Sequence, residues 1–217
     1  RPGKPAREFA LARRLLARGI ATPAPLLVAG RREGVFLREA FLVTRGLDPP
    51  AWESARALWE RLKKEGRAAE ALELLRDLAR ALAEAHRLGW VHADCRAQHW
   101  FLYRAAPSMD SEAPPPLARW AALDLDGGAL GRPPSLWRRR RLLAMMAASF
   151  PRPLWSAGDT ETLVKTYFRD QPMADMDLPA IQERAERLYE AGRQSRGAAR
   201  PALEGRHARR GPTPGRE

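Results

Sequence analysis

The stretch from His86 to Leu102 constrains this chain more than any other. It reads His-Arg-Leu-Gly-Trp-Val-His-Ala-Asp-Cys-Arg-Ala-Gln-His-Trp-Phe-Leu. A long amphipathic pattern runs into it. Leu72, Leu75, Ala79, Leu82 and His86 fall on one face of a helix predicted over 68–87, with Leu78 and Ala85 beside it. Gly89 stops that helix, as a glycine just past the last turn does. His92, Asp94, Arg96 and His99 then crowd into a polar loop. Two short apolar runs follow, Trp100–Tyr103 and Trp120–Leu123, which suit a pair of strands. The second ends in Asp124-Leu125-Asp126-Gly127. The order is helix, polar loop, strand, strand, acidic turn.

That order suits phosphoryl transfer, which needs positioned charge more than covalent chemistry. Asp94 is the expected acceptor of a substrate hydroxyl's proton. Arg96 is placed to offset charge growing on the transferring phosphate. His99 is a candidate ligand for metal or phosphate, although imidazole suits hard Mg²⁺ less well than oxygen does. Asp124 is the expected Mg²⁺ ligand, with Asp126 assisting, and Gly127-Gly128 frees the turn. Each residue alone is weak; an Asp in a loop is usually a turn or cap residue. The ordered combination carries the weight. A zinc site from His92, Asp94, Cys95 and His99 is disfavoured, because no Cys-x-x-Cys pair accompanies it. Cys95 as a nucleophile is equally disfavoured, since no oxyanion-hole glycine pattern is present.

The rest of the chain divides around this centre. Residues 5–18 read as a helix stopped by Gly19, with Glu8 in its first turns as a carboxylate the helix dipole favours. Leu26–Ala29, Val35–Arg38 and Ala40–Thr44 read as strands of a small antiparallel sheet. Helices are expected over 51–65, 136–150, 159–169 and 177–191. His86 reads as a core-edge residue, and Met145-Met146 as core filling. The connection through Pro107, Ser108, Ser111 and Pro114–Pro116 is long for a hairpin. From Gly192 onward, Gly, Pro and Arg dominate and a disordered basic tail is expected. The fold class is therefore α+β, in three parts: 1–47, a small sheet plus one helix; 48–191, mainly helical; and the tail, 192–217.

Composition adds limits. The net charge of +12 favours an anionic partner, whether phosphates, nucleic acid or acidic lipid. Nucleic acid is disfavoured because aromatic and basic residues do not interleave. Arg138–Arg141 reads as a solvated face or as a patch for an anionic acceptor. Cys95 is the only cysteine, which excludes an internal disulfide and fits a reducing compartment. No apolar run reaches the ~18 residues of a membrane span.

Taken together, these residues resemble the lipopolysaccharide kinase (Kdo/WaaP) family, a bacterial branch of the protein-kinase-like fold. The likeness runs from about Arg7 to Arg169. Arg7-Glu8-Phe9 and Leu15–Gly19 resemble the family's first helix, and Gly19–Pro25 the turn after it. Phe41-Leu42-Val43-Thr44 resembles the hinge strand. His92-Ala93-Asp94-Cys95 and His99-Trp100-Phe101-Leu102 resemble the catalytic loop, and Leu123–Asp126 the metal-binding turn. His99 at the usual Asn position, and Cys95 after the Asp, favour this branch over ordinary protein kinases. The resemblance implies ATP and Mg²⁺ as cofactors and a heptose or Kdo sugar of the lipopolysaccharide inner core as acceptor. It implies work in the cytoplasm, peripheral to the inner membrane. Glu8 would be the helix carboxylate that pairs with a strand lysine. The Gly-rich loop and that lysine should precede Glu8, where only seven residues stand. Lys4 is too near Glu8 and lies outside any strand pattern. Ala93 replaces the usual Arg of His-Arg-Asp. The chain is thus expected to be a piece of a full kinase or an inactive relative, the absent initiator Met favouring the piece, and to bind ATP poorly.

Overall fold

A computed structural model describes residues 3–34, 36–47, 51–103, 119–169 and 176–207. Helix α1 spans Lys4–Leu16; Pro5 suits its first turn, and Gly19, at φ +73°, turns the chain away after it. Strands β1, Pro25–Glu33, and β2, Phe36–Thr44, pair as an antiparallel hairpin. The two expected runs 35–38 and 40–44 are one strand, because Glu39 and Ala40 continue the ladder opposite Arg31 and Gly30. Val35 lies outside the described residues. Leu26, Leu27, Phe36, Phe41 and Val43 of this hairpin are exposed.

The helix expected over 51–65 begins later. Trp52–Ser54 is instead strand β3, the edge of a three-stranded antiparallel sheet ordered β3-β5-β6, with β5 Trp100–Tyr103 and β6 Trp120–Ala122. Ser54 ends the strand and caps helix α2, Ala55–Lys64, its Oγ accepting from the Ala57 N–H at 3.2 Å. The expected pairing of the two apolar runs holds: Trp100 lies opposite Ala122 and Leu102 opposite Trp120. The connection through Pro107 and Pro114–Pro116 lies outside the described residues. Helix α3, Ala68–Arg87, buries Leu75, Leu78, Ala79, Leu82 and His86 as its periodicity demands.

A miniature ribbon, absent from the sequence reading, joins β4, Trp90–Val91, to β7, Ala129–Leu130. Gly89 makes it possible. It sits at φ +78°, and a Cβ there would lie 1.9 Å from the Gly131 carbonyl oxygen. Helices α4, Leu136–Ala148, α5, Ala157–Tyr167, and α6, Leu178–His207, complete the fold. Asp159 and Ser156 form a capping box at the start of α5. Helix α6 continues to His207, past Gly192, where the disordered tail was expected to begin.

One core serves these elements. Trp59, Trp90, Trp100 and Trp120 are almost wholly buried, and Phe150 stacks on Trp155 at 4.4 Å. Truncating any of these tryptophans to Ala costs roughly 3–5 kcal/mol. His86 closes the α3 face, its Nδ1 hydrogen-bonded to the Tyr167 hydroxyl at 2.6 Å. Met146 is buried and Met145 packs against the same core.

Candidate active site

The polar loop lies between β4 and β5. A single 3₁₀ turn, Ala97–His99, delivers His99 to the start of β5. Helix α4 fixes that turn from below: the Ser149 Oγ accepts from the Ala97 N–H at 2.8 Å while its hydroxyl donates to the Met146 carbonyl at 2.6 Å. On the other side, the loop is bonded to the acidic turn twice. His92 Nε2 lies 2.7 Å from the Leu123 carbonyl oxygen, and the Leu123 N–H donates to the His99 carbonyl at 2.8 Å. The first bond requires His92 to carry its proton on Nε2. Burial pushes His92 below its ordinary pKa and keeps it neutral. His92, read from the sequence as a loop polar residue, is thus the strut between loop and turn.

These bonds bring Asp94, His99 and Asp124 together, with one ligand atom from each lying within 4.8 Å of the others. His99 stands between the carboxylates, Nε2 at 3.3 Å from Asp94 Oδ2 and Nδ1 at 3.9 Å from Asp124 Oδ2. Arg96 Nε lies 2.8 Å from the other Asp94 oxygen. Asp124 has φ +53°, an uncommon conformation for a side-chain-bearing residue, costing roughly 1–3 kcal/mol. It is held there by the Leu123 bonds on one side and by a Gly128 N–H to Leu125 carbonyl bond at 3.0 Å on the other. Two carboxylates and one imidazole, half open to solvent, make a donor set that accepts a divalent cation, with the carboxylate oxygens suiting Mg²⁺ best.

Asp126 is not part of that trio. Its carboxylate meets Lys4 Nζ at 3.2 Å. Lys4 also lies 3.7 Å from Glu8 Oε1, an ion-pair distance too long for a hydrogen bond. The same Glu8 oxygen is buried without a hydrogen-bond partner, and its burial raises the carboxyl above the ordinary carboxylate range. Lys4 therefore bridges α1 and the acidic turn from the helix itself, one turn before Glu8. The sequence reading set Lys4 aside as too near Glu8; the i,i+4 spacing was the signal that could have found it. Cys95 is fully buried, and burial pushes its thiol up to about 12. That leaves it neither nucleophile nor metal ligand at neutral pH.

A helix-rich lobe carrying a loop carboxylate, an imidazole and a turn carboxylate, capped by a small hairpin and one helix, defines a protein-kinase-like fold. The sequence profile of the Lipopolysaccharide kinase (Kdo/WaaP) family matches residues 3–167, and the chain belongs to that family. A 3-deoxy-D-manno-octulosonic acid kinase of Xanthomonas campestris pv. campestris (strain B100) is 34% identical over 135 residues, covering 62% of this chain and 45% of that protein. A kinase of the same name from Xylella fastidiosa (strain 9a5c) is 30% identical over 145 residues, covering 64% of this chain and 47% of that one. The chain spans about half the length of the curated relatives it matches. The solved structure described as WaaP in complex with acyl carrier protein superposes with a TM-score of 0.61 at 22% identity, over 86% of this chain and 76% of that one. At that identity the likeness establishes the fold.

Proposed function

We propose that the protein to which this chain belongs is an ATP-dependent kinase that phosphorylates a hydroxyl of an inner-core lipopolysaccharide sugar, with Kdo favoured over heptose. The observation that carries this is the convergence of Asp94, His99 and Asp124 on one point of the surface. The preference for Kdo rests on the names of the relatives in Xanthomonas and Xylella. Mg²⁺-ATP, when bound, supplies the phosphoryl group and neutralises its charge. Asp124 would hold the metal, and His99 would support it. Asp94 orients the acceptor hydroxyl and takes its proton. Arg96, swinging from Asp94 toward the phosphate, offsets the charge that develops there. Work at the cytoplasmic face of the inner membrane accords with this acceptor, and among the described residues no helix is long and apolar enough to cross a membrane.

Transfer of radiolabel from ATP to purified core saccharides by the full-length protein tests the proposal. Asp94→Asn should lower that transfer about 10²–10⁴-fold. Undiminished transfer by this variant would remove Asp94 from its role. A second reading, a catalytically inactive kinase-like scaffold, is favoured by two observations, the first being that the cation beside Glu8 and Asp126 comes from helix α1 rather than from a strand. Ala93, in place of the usual arginine, points the same way. ATP titration separates the readings, since tight Mg²⁺-dependent binding by this chain excludes the scaffold.

A further inference from the structure

Next to the Asp94 loop lies a cleft of about 670 Å³ between the start of α2, the loop, α4 and α6. Arg56, Arg96, Arg141 and Arg184 line it together with Gln98, and none of its lining residues is acidic. Several arginines elsewhere pair with carboxylates: Arg61 with Glu53, Arg67 with Glu70, Arg152 with Glu186. In the cleft, Arg56, Arg141 and Arg184 have no carboxylate partner among the described residues. Arg141 and Arg184 are instead stacked over Trp137, at 5.8 and 5.6 Å from its ring centroid. That contact holds the two guanidinium groups beside one ring without neutralising either. The Arg184 Nε is buried without a hydrogen-bond partner.

Such an arrangement is costly alone. Like charges facing one concavity repel, and buried donors without acceptors forfeit their hydration. An anion offsets both terms, and planar guanidinium forks match the oxygens of carboxylate and phosphate. The concave shape suits a small group rather than a flat membrane or a nucleic-acid backbone. Arg96 connects the cleft to the chemistry, lining it while its Nε touches Asp94 at 2.8 Å.

We propose that this cleft is the acceptor's anion site: it grips a carboxylate or phosphate on the sugar and thereby presents a nearby hydroxyl to Asp94. Anion binding here stands on the cleft itself; only its link to phosphoryl transfer rests on the kinase reading.

Calorimetric titration of the 217-residue chain tests it. The probes are Kdo for the carboxylate, glucosamine 6-phosphate for the phosphate, inorganic phosphate alone, and mannose as the neutral control. At least one anionic sugar should bind and mannose should not. Arg56→Gln, Arg141→Gln and Arg184→Gln should each weaken that binding by about tenfold, the worth of one charge-assisted contact. Arg141→Lys and Arg184→Lys should recover part of the loss, and the melting temperatures should stay at that of the parent. Unchanged affinity in the triple Gln variant, equal binding of mannose, or binding of inorganic phosphate as tight as that of either anionic sugar would overturn the proposal. Radiolabel transfer from ATP separates this site from the kinase reading: anionic-sugar binding without transfer by the full-length protein would overturn the kinase reading and leave the anion site standing, whereas transfer without anionic-sugar binding would overturn the anion site.

Discussion

Gly89→Ala should be the most damaging glycine substitution outside the acidic turn. Two costs add. The left-handed backbone at φ +78° penalises any residue with a Cβ by about 1–2 kcal/mol. The new Cβ would also stand 1.9 Å from the Gly131 carbonyl oxygen and 2.7 Å from its carbonyl carbon. Those are backbone atoms, anchored by the Gly131 N–H bond to the Gly89 carbonyl at 2.9 Å, so the β4–β7 ribbon must open to make room. Forced displacement of packed structure costs about 1–3 kcal/mol more. The total is about 2–5 kcal/mol. Gly66 provides the control, with φ +73° and nothing within 4 Å of its would-be Cβ. Gly66→Ala should cost only the first amount. Urea unfolding followed by tryptophan fluorescence, with the slope checked for constancy, measures both. If the two variants lose the same stability, or Gly66→Ala loses more, close approach of the two backbones is not what requires glycine at position 89.

Acid should weaken the fold through His86. Burial pushes it from its ordinary 6.5 down to about 3. Below 6.5 the unfolded chain takes a proton that the native site refuses. This contribution is therefore whole above pH 6.5 and drains as pH falls toward 3, by about 1.4 kcal/mol per unit. His86→Gln should flatten the acid limb of a stability–pH curve, and an unaltered limb would refute the assignment. Cys95 should resist iodoacetamide at pH 8 in the native chain and react in urea, since burial raises its thiol to about 12; rapid native labelling would contradict that burial. Ser149→Ala should cost about 1–3 kcal/mol, the price of orphaning the Ala97 N–H, and should quicken hydrogen exchange at that amide. No change in exchange there would show that α4 does not brace the loop.

The fold class was legible because α3 announces itself over five turns and because the runs Trp100–Tyr103 and Trp120–Leu123 are apolar enough to pair with each other. Strand β3 was missed because Trp52-Glu53-Ser54 carries no period long enough to distinguish it from the helix it precedes. The β4–β7 ribbon was invisible for another reason: its partners are forty residues apart and two residues long, and only the contact at Gly89 pins them. Asp94, His99 and Asp124 were readable as an ordered set, since chain order alone suggested a common place. The arginines of the cleft were not, because Arg56 and Arg184 come from distant helices with no shared motif. Arg138–Arg141 looked like one feature, yet the structure divides it: Arg141 faces the cleft, whereas Arg140 pairs with Asp177 at 3.0 Å and Arg139 donates to the Pro134 carbonyl at 2.8 Å.

Helix α1 is riveted to the larger lobe. Arg14 donates to the Leu130 carbonyl at 3.2 Å and Arg18 to the Leu88 carbonyl at 3.0 Å, while Leu15 and, just past the helix, Ile20 are fully buried. Rolling Glu8 outward would strip both hydrogen bonds and drag two aliphatic side chains into water, at roughly 1.5–3 kcal/mol for each side chain exposed. Many kinases switch themselves off by swinging this helix away. On the proposed kinase reading that gesture is expensive here, which moves regulation to the delivery of substrates rather than to a rocking of α1.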